Sequence, residues 1–167
     1  MTIKNDVIPY SEAVTMVRNA IEDRAAWFDL LTKEAEAVGA EPETIARRAI
    51  QRFGFLKSQK MIQSDNLEEF VKQFASELVA NVFEMSVERV ETDEAEIHLH
   101  YCPLVESWKK GGNSDEHIDT LCQWAIEGDH GLMLGFPEFE YKAEKRIAAG
   151  DGYCKFIFSR KEERKQS

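Results

Sequence analysis

Near Phe83 the spacing of apolar residues changes from a helical period to strict alternation, and this switch constrains the fold more than any other feature. Before it, Val14, Val17, Ile21, Ala25, Phe28 and Leu31 form a helical stripe that Ser11 can cap and Gly39 can stop. Pro42, at the mouth of a second helix, predicts a run through Ile45, Ala49, Phe53 and Leu56 to about Ile62. A third helix, capped by Ser64 or Asp65, carries Leu67, Phe70, Val71, Phe74, Leu78 and Val82.

Beyond the switch, Met85, Val87 and Arg89 alternate with their neighbours, and Thr92-Asp93-Glu94 makes a turn. Ile97, Leu99 and Tyr101 then alternate with His98, His100 and Cys102, a hairpin signature that Pro103 closes. A short helix through Leu104 and Trp108 stops at Gly111-Gly112, and Ser114 opens another with Ile118, Leu121, Cys122, Ala125 and Ile126 on one stripe. Phe139 to Ile147, the turn Gly150-Asp151-Gly152 and the face Cys154, Phe156 and Phe158 read as a second hairpin. The order predicts an α+β fold: N-terminal helices, then hairpin–helix–hairpin, with an antiparallel sheet of about four strands covered by helices. Residues 1–160 read as a single domain, with a helical part at about 10–82, a ββααββ part at about 83–159, and a frayed charged tail at 160–167.

The net charge of -10 argues against a nucleic-acid partner and against an electrostatic hold on a membrane, and no apolar run approaches a membrane span. The excess is local. Residues 84–140 hold 14 acidic side chains against Arg89, Lys109 and Lys110. The start MTIKNDVIPY lacks a secretory pattern, and three widely spaced cysteines do not form a disulfide framework. The expectation is a cytoplasmic protein.

Those cysteines carry most of the chemistry the sequence offers. On a strand, His98, His100 and Cys102 would share one face, where an imidazole could activate the thiol. Cys122 and Asp129 are seven residues apart, two helical turns, and so would share a helix face. Cys154 points where Phe156 and Phe158 point, which suits a packed thiol better than a nucleophile. Three cysteines and a histidine could hold zinc, but no pair has Cys-x-x-Cys spacing. Nucleotide, P-loop, hydrolase-elbow and zincin motifs are absent, so no cofactor is expected.

Three short motifs, Tyr101-Cys102-Pro103, Leu121-Cys122-Gln123-Trp124-Ala125-Ile126-Glu127-Gly128-Asp129 and Ile147-Ala148-Ala149-Gly150-Asp151-Gly152-Tyr153-Cys154-Lys155-Phe156, resemble in order and spacing the L-2-amino-thiazoline-4-carboxylic acid hydrolase-like family. The third also resembles small-molecule-binding domains of the 4-vinyl-reductase type. One departure is His130, where the family pattern Glu-Gly-Asp-Arg-Gly has arginine. The resemblance implies hydrolysis of a C–N bond in a small cyclic amidine, opening the ring to a carbamoyl-cysteine. It marks the cysteines and Asp129 as site residues. Cys102 is the expected nucleophile, His100 the acid–base group and Asp129 the amidinium holder. Cys122 would support the pocket or share the attack, and Arg146 or Lys145 would meet a substrate carboxylate. The alternatives are a non-catalytic binding or sensor domain whose cysteines line the pocket or hold a metal, and an interaction domain with an acidic face. A four-stranded sheet with free edges also suits a homodimer.

Overall fold

The computed structural model describes residues 10–162. Helices α1 (Tyr10–Ala37) and α2 (Pro42–Ser58) are joined at Gly39, whose φ of +77° continues neither helix. The long third helix of the expectation is two pieces, α3 (Leu67–Phe74) and α4 (Glu77–Phe83), broken at Ala75-Ser76. Its cap is Asn66, whose side chain accepts from the Glu69 N–H at 3.1 Å, rather than Ser64 or Asp65. The break lets α3 lie on the sheet while α4 feeds straight into β1.

Strands β1 (Met85–Val90), β2 (Glu94–Leu99), β3 (Phe139–Lys145) and β4 (Cys154–Arg160) form one antiparallel sheet in the order β1-β2-β4-β3. Between the hairpins run α5 (Pro103–Lys110), α6 (Asp115–Ala125) and α7 (Glu127–Met133). The fold is α+β, as the period switch predicts. Ser114 caps α6 as expected, accepting from the His117 N–H at 3.3 Å. Ile147–Ala149 is a 3-10 turn rather than the end of a strand. The tail beyond Glu162, like residues 1–9, lies outside the described residues.

One face of the sheet is apolar and buried, through Ala95, Ile97 and Leu99 on β2 and Cys154, Phe156 and Phe158 on β4. Against it pack Phe70 of α3 and Leu132 and Met133 of α7, with Phe70 edge-on to Phe136 and Phe158 at 4.9 and 5.0 Å. A second core joins α1, α2, α5 and α6 around Trp108, whose indole N–H donates to the Ala25 carbonyl at 2.9 Å. Burial of these faces removes apolar surface from water at about 25 cal/mol per Å², the main term that holds the two cores together. The outer face of the sheet carries His98, Lys155, Lys142 and Glu144. Among the described residues, no helix is long and apolar enough to cross a membrane.

Candidate functional site

A cavity of about 190 Å³ lies at the seam between the two cores, and four of the five residues singled out in the sequence line it: Cys102, Cys122, Asp129 and Cys154. They come from different elements. Cys102 is the N-cap of α5, Cys122 sits on α6, Asp129 on α7 and Cys154 at the start of β4. Phe74, Val79, Phe83, Met85, Leu99 and Trp108 supply apolar walls, and Arg146 closes the ring beside Cys122.

His100 does not join them, which corrects its expected role as acid–base partner of Cys102. Strand β2 ends at Leu99 because its neighbour has already turned: Glu84 adopts a left-handed φ of 50° just before β1. The His100 and Tyr101 N–H groups still donate to the Glu84 and Phe83 carbonyls at 3.1 Å each, but alternation is lost. Tyr101 turns to α1, with the Arg18 guanidinium 4.0 Å from its ring centroid. Cys102 then enters the cavity while His100 stays exposed, its Nε2 3.2 Å from Ser86 Oγ. Lys145 is also outside the cavity, its Nζ donating to the Tyr153 hydroxyl at 3.2 Å.

Gly131, two residues beyond Asp129, has a packing reason. Helix α7 crosses α2 so closely that a Cβ on Gly131 would sit 2.0 Å from the Gln51 carbonyl oxygen. Likewise a Cβ on Gly54 would lie 2.0 Å from the Gly128 oxygen. Only hydrogen fits at these positions. The crossing brings Lys57 of α2 to the cavity wall near Asp129, a neighbour the sequence does not signal because 72 residues separate them. Tyr141, legible only as an inward-facing strand residue, sets its buried hydroxyl beside the same carboxylate without a well-aligned hydrogen-bond partner. His130 faces away, exposed and edge-on to the Tyr141 ring at 5.3 Å.

Burial governs the electrostatics here. Asp129 lies deep in the protein and the surface it retains borders the cavity, so desolvation pushes its pKa up to about 6, against the pull of Lys57 and Tyr141. Burial likewise pushes the Cys102 thiol up to about 12, opposed weakly by the Val105 and Leu104 N–H groups at the start of α5. Cys122 rises to about 11 through burial, with Arg146 opposing, and burial raises Cys154 despite the Ile147 N–H donating to its sulfur at 3.4 Å. The three are therefore thiols at neutral pH rather than thiolates. Arg146 is already paired, 2.6 Å from Asp119. The cysteine sulfurs do not converge as a metal-ligand set: among the described residues, only Glu88, His98 and His100 bring three such ligand atoms together.

Fold and site define the class as an α+β protein whose helices and inner sheet face enclose a cavity lined by cysteines and one carboxylate. The chain belongs to the L-2-amino-thiazoline-4-carboxylic acid hydrolase family, whose model it matches over residues 18–158. The fold is also similar to a solved structure, that of a trafficking protein particle complex subunit 3 from Naegleria fowleri covalently bound to palmitic acid. That likeness has a TM-score of 0.56 and 13% sequence identity, covering 84% of this chain and 95% of that one. No curated protein matches the chain.

Proposed function

We propose that the protein hydrolyses a ring C–N bond of a small cyclic amidine bound in this cavity, with Asp129 as the group that moves the proton. The observation that supports this best is a deep carboxylate raised to about 6, on the wall of a cysteine-lined cavity, in a chain of this family. A group titrating there can both take and give a proton near neutral pH, and its two oxygens match the planar N–H fork of an amidine. In this reading water adds to the carbon between sulfur and nitrogen, and Asp129 accepts the water's proton. The ring C–N bond then breaks and the proton passes to the departing nitrogen. Arg146 and Lys57 are the two cations on the cavity wall that a substrate carboxylate could meet.

Cys102 is the nucleophile in a covalent form of the same reaction. An amidinium bound next to it would offset the burial that keeps the thiol protonated, and the N-terminus of α5 favours the thiolate in the same sense. His100, exposed on the other side of the sheet, has no part in it. The test is the rate of ring opening of 2-amino-thiazoline-4-carboxylate, followed by chromatography. Asp129→Asn is expected to lower it by about 10²–10⁴-fold, the usual contribution of a positioned acid–base group. Loss of turnover in Cys102→Ala selects the covalent route, and retention selects direct attack by water.

A second reading, binding without turnover, has its own support in the apolar walls and in the palmitic acid held by the trafficking-complex subunit of similar fold. The cavity volume favours the first reading, because about 190 Å³ is below the ~300–1,000 Å³ of pockets for drug-sized ligands. If the parent protein binds a long-chain fatty acid and leaves the thiazoline intact, the second reading replaces the first.

The homodimer belongs to the proposal too, with better support from helices than from sheet edges. Trp27, Leu31, Ile45 and Phe53 of α1 and α2 are each at least half exposed, an unusual concentration of apolar surface. Trp27→Glu is expected to convert dimer to monomer in sedimentation velocity; an unchanged sedimentation coefficient counts against this face.

A further inference from the structure

The outer face of the sheet, away from the cavity, gathers a second chemical cluster. Glu88, His98 and His100 each offer one ligand atom, all within 4.8 Å of one another. His98 Nδ1 is 3.7 Å from Glu88 Oε1. His100 Nε2 reaches Ser86 Oγ at 3.2 Å, and Ser86 Oγ reaches Glu88 Oε1 at 2.5 Å, so the three groups converge over one strand-pair position. We infer that this cluster is a binding site for a borderline divalent cation of the zinc type, held by two imidazole nitrogens and one carboxylate oxygen.

Two independent features shape the cluster toward such an ion. The first is a β-bulge. Val87 pairs with Ile97 but Arg89 pairs with Glu96, so Glu88 is the extra residue, taken out of the ladder. Bulges re-aim side chains. Here the bulge sets Arg89 rather than a second carboxylate opposite Glu96 and leaves Glu88 for His98.

The second feature is orientation of the imidazole. His98 Nε2 is 2.6 Å from Glu96 Oε1, which places the ring proton on Nε2 and turns the Nδ1 lone pair toward Glu88. A carboxylate behind a histidine is the usual outer partner of a metal-binding imidazole, since it fixes the tautomer and raises the ring's basicity. The Tyr153 ring lies 4.4 Å from the His98 ring, holding it in place, and 5.8 Å from that of the more exposed His100. Lys155, the neighbouring cation, is drawn off by Glu144 at 3.2 Å and by Glu96 Oε2 at 3.4 Å.

Bonds of about 2.0–2.1 Å in a tetrahedron set ligand atoms about 3.3 Å apart. The His98–Glu88 pair at 3.7 Å is nearly there, and His100 and Glu88, both exposed, close the rest by side-chain rotation. Three protein ligands leave a fourth position to water or to a second molecule. The site is separate from the cavity and independent of the function proposed above.

Calorimetric titration of the full chain with Zn²⁺ at pH 7.5 tests the assignment. One ion is expected to bind per chain, and His98→Ala/His100→Ala is expected to abolish that binding with the circular dichroism spectrum unchanged. Glu96→Gln keeps all three ligands, and should weaken binding by about 10–100-fold because only the supporting hydrogen bond is lost. Zinc bound by the double-alanine chain as tightly as by the parent would place the ion elsewhere on the chain and overturn the proposal. So would a parent chain that binds no zinc.

Discussion

At pH 8, Asp129→Asn is expected to unfold at a higher temperature than the parent protein while losing amidine turnover. The folded protein holds the Asp129 proton up to about pH 6, whereas an unfolded chain releases it at the ordinary 3.8. Between these values the folded state binds more protons, so stability falls as pH rises through the window. Above pH 6 the ionised carboxylate therefore costs on the order of 3 kcal/mol, from a difference of about 2.2 pH units at 1.36 kcal/mol each. Asparagine removes the charge without changing the shape. At roughly 2–4 °C per kcal/mol for a chain of this size, the gain in melting temperature is about 6–12 °C. The gap should nearly close at pH 4, where the folded parent is protonated as well. Equal melting temperatures at pH 8 would mean that the carboxylate is well hydrated through the cavity, removing the main support for its proton-transfer role. A stabilising substitution that abolishes activity is what a strained functional group predicts, because the site is maintained at a cost to the fold.

Gly131→Ala is expected to do the reverse and lower stability by about 3 kcal/mol or more, the upper end for overpacking. The new Cβ would meet the Gln51 carbonyl oxygen at 2.0 Å, and neither backbone can yield without separating α2 from α7. That separation also moves Asp129 away from Lys57, so residual folded protein should turn over amidine poorly. Gly152→Ala is the control: a Cβ there meets nothing within 4 Å, and the change should leave the melting temperature within about 2 °C. Urea or thermal melts of the two variants suffice. Similar midpoints would show that the helix pair can repack, and that the glycines are not what brings the carboxylate to the cavity.

The two residues differ in how visible they were beforehand. Asp129 stood out because it lies two helical turns from Cys122, and motif resemblance tied it to Cys102, Cys122 and Cys154. For Gly131, by contrast, the spacing of apolar residues offers no reason, and only the α2–α7 crossing explains it. His100 was misplaced for a related reason. Alternation along HLHYC is a local rule that holds only while the strand has a paired neighbour, and the left-handed turn at Glu84 ends that pairing after Leu99.

By itself the sequence determined the order of the helical and strand regions, the α+β class and the motif trio of the family, all of which depend on near neighbours in the chain or on short motifs. The tertiary structure decided the rest. It set which thiols and which carboxylate share a cavity, how far burial moves their proton affinities, and that Lys57 and Tyr141 stand beside Asp129. It also put the two histidines of one short motif on the opposite side of the sheet from its cysteine. Desolvation and charge proximity act through space between residues far apart in the chain, and their strength is set only when the two cores close around the seam.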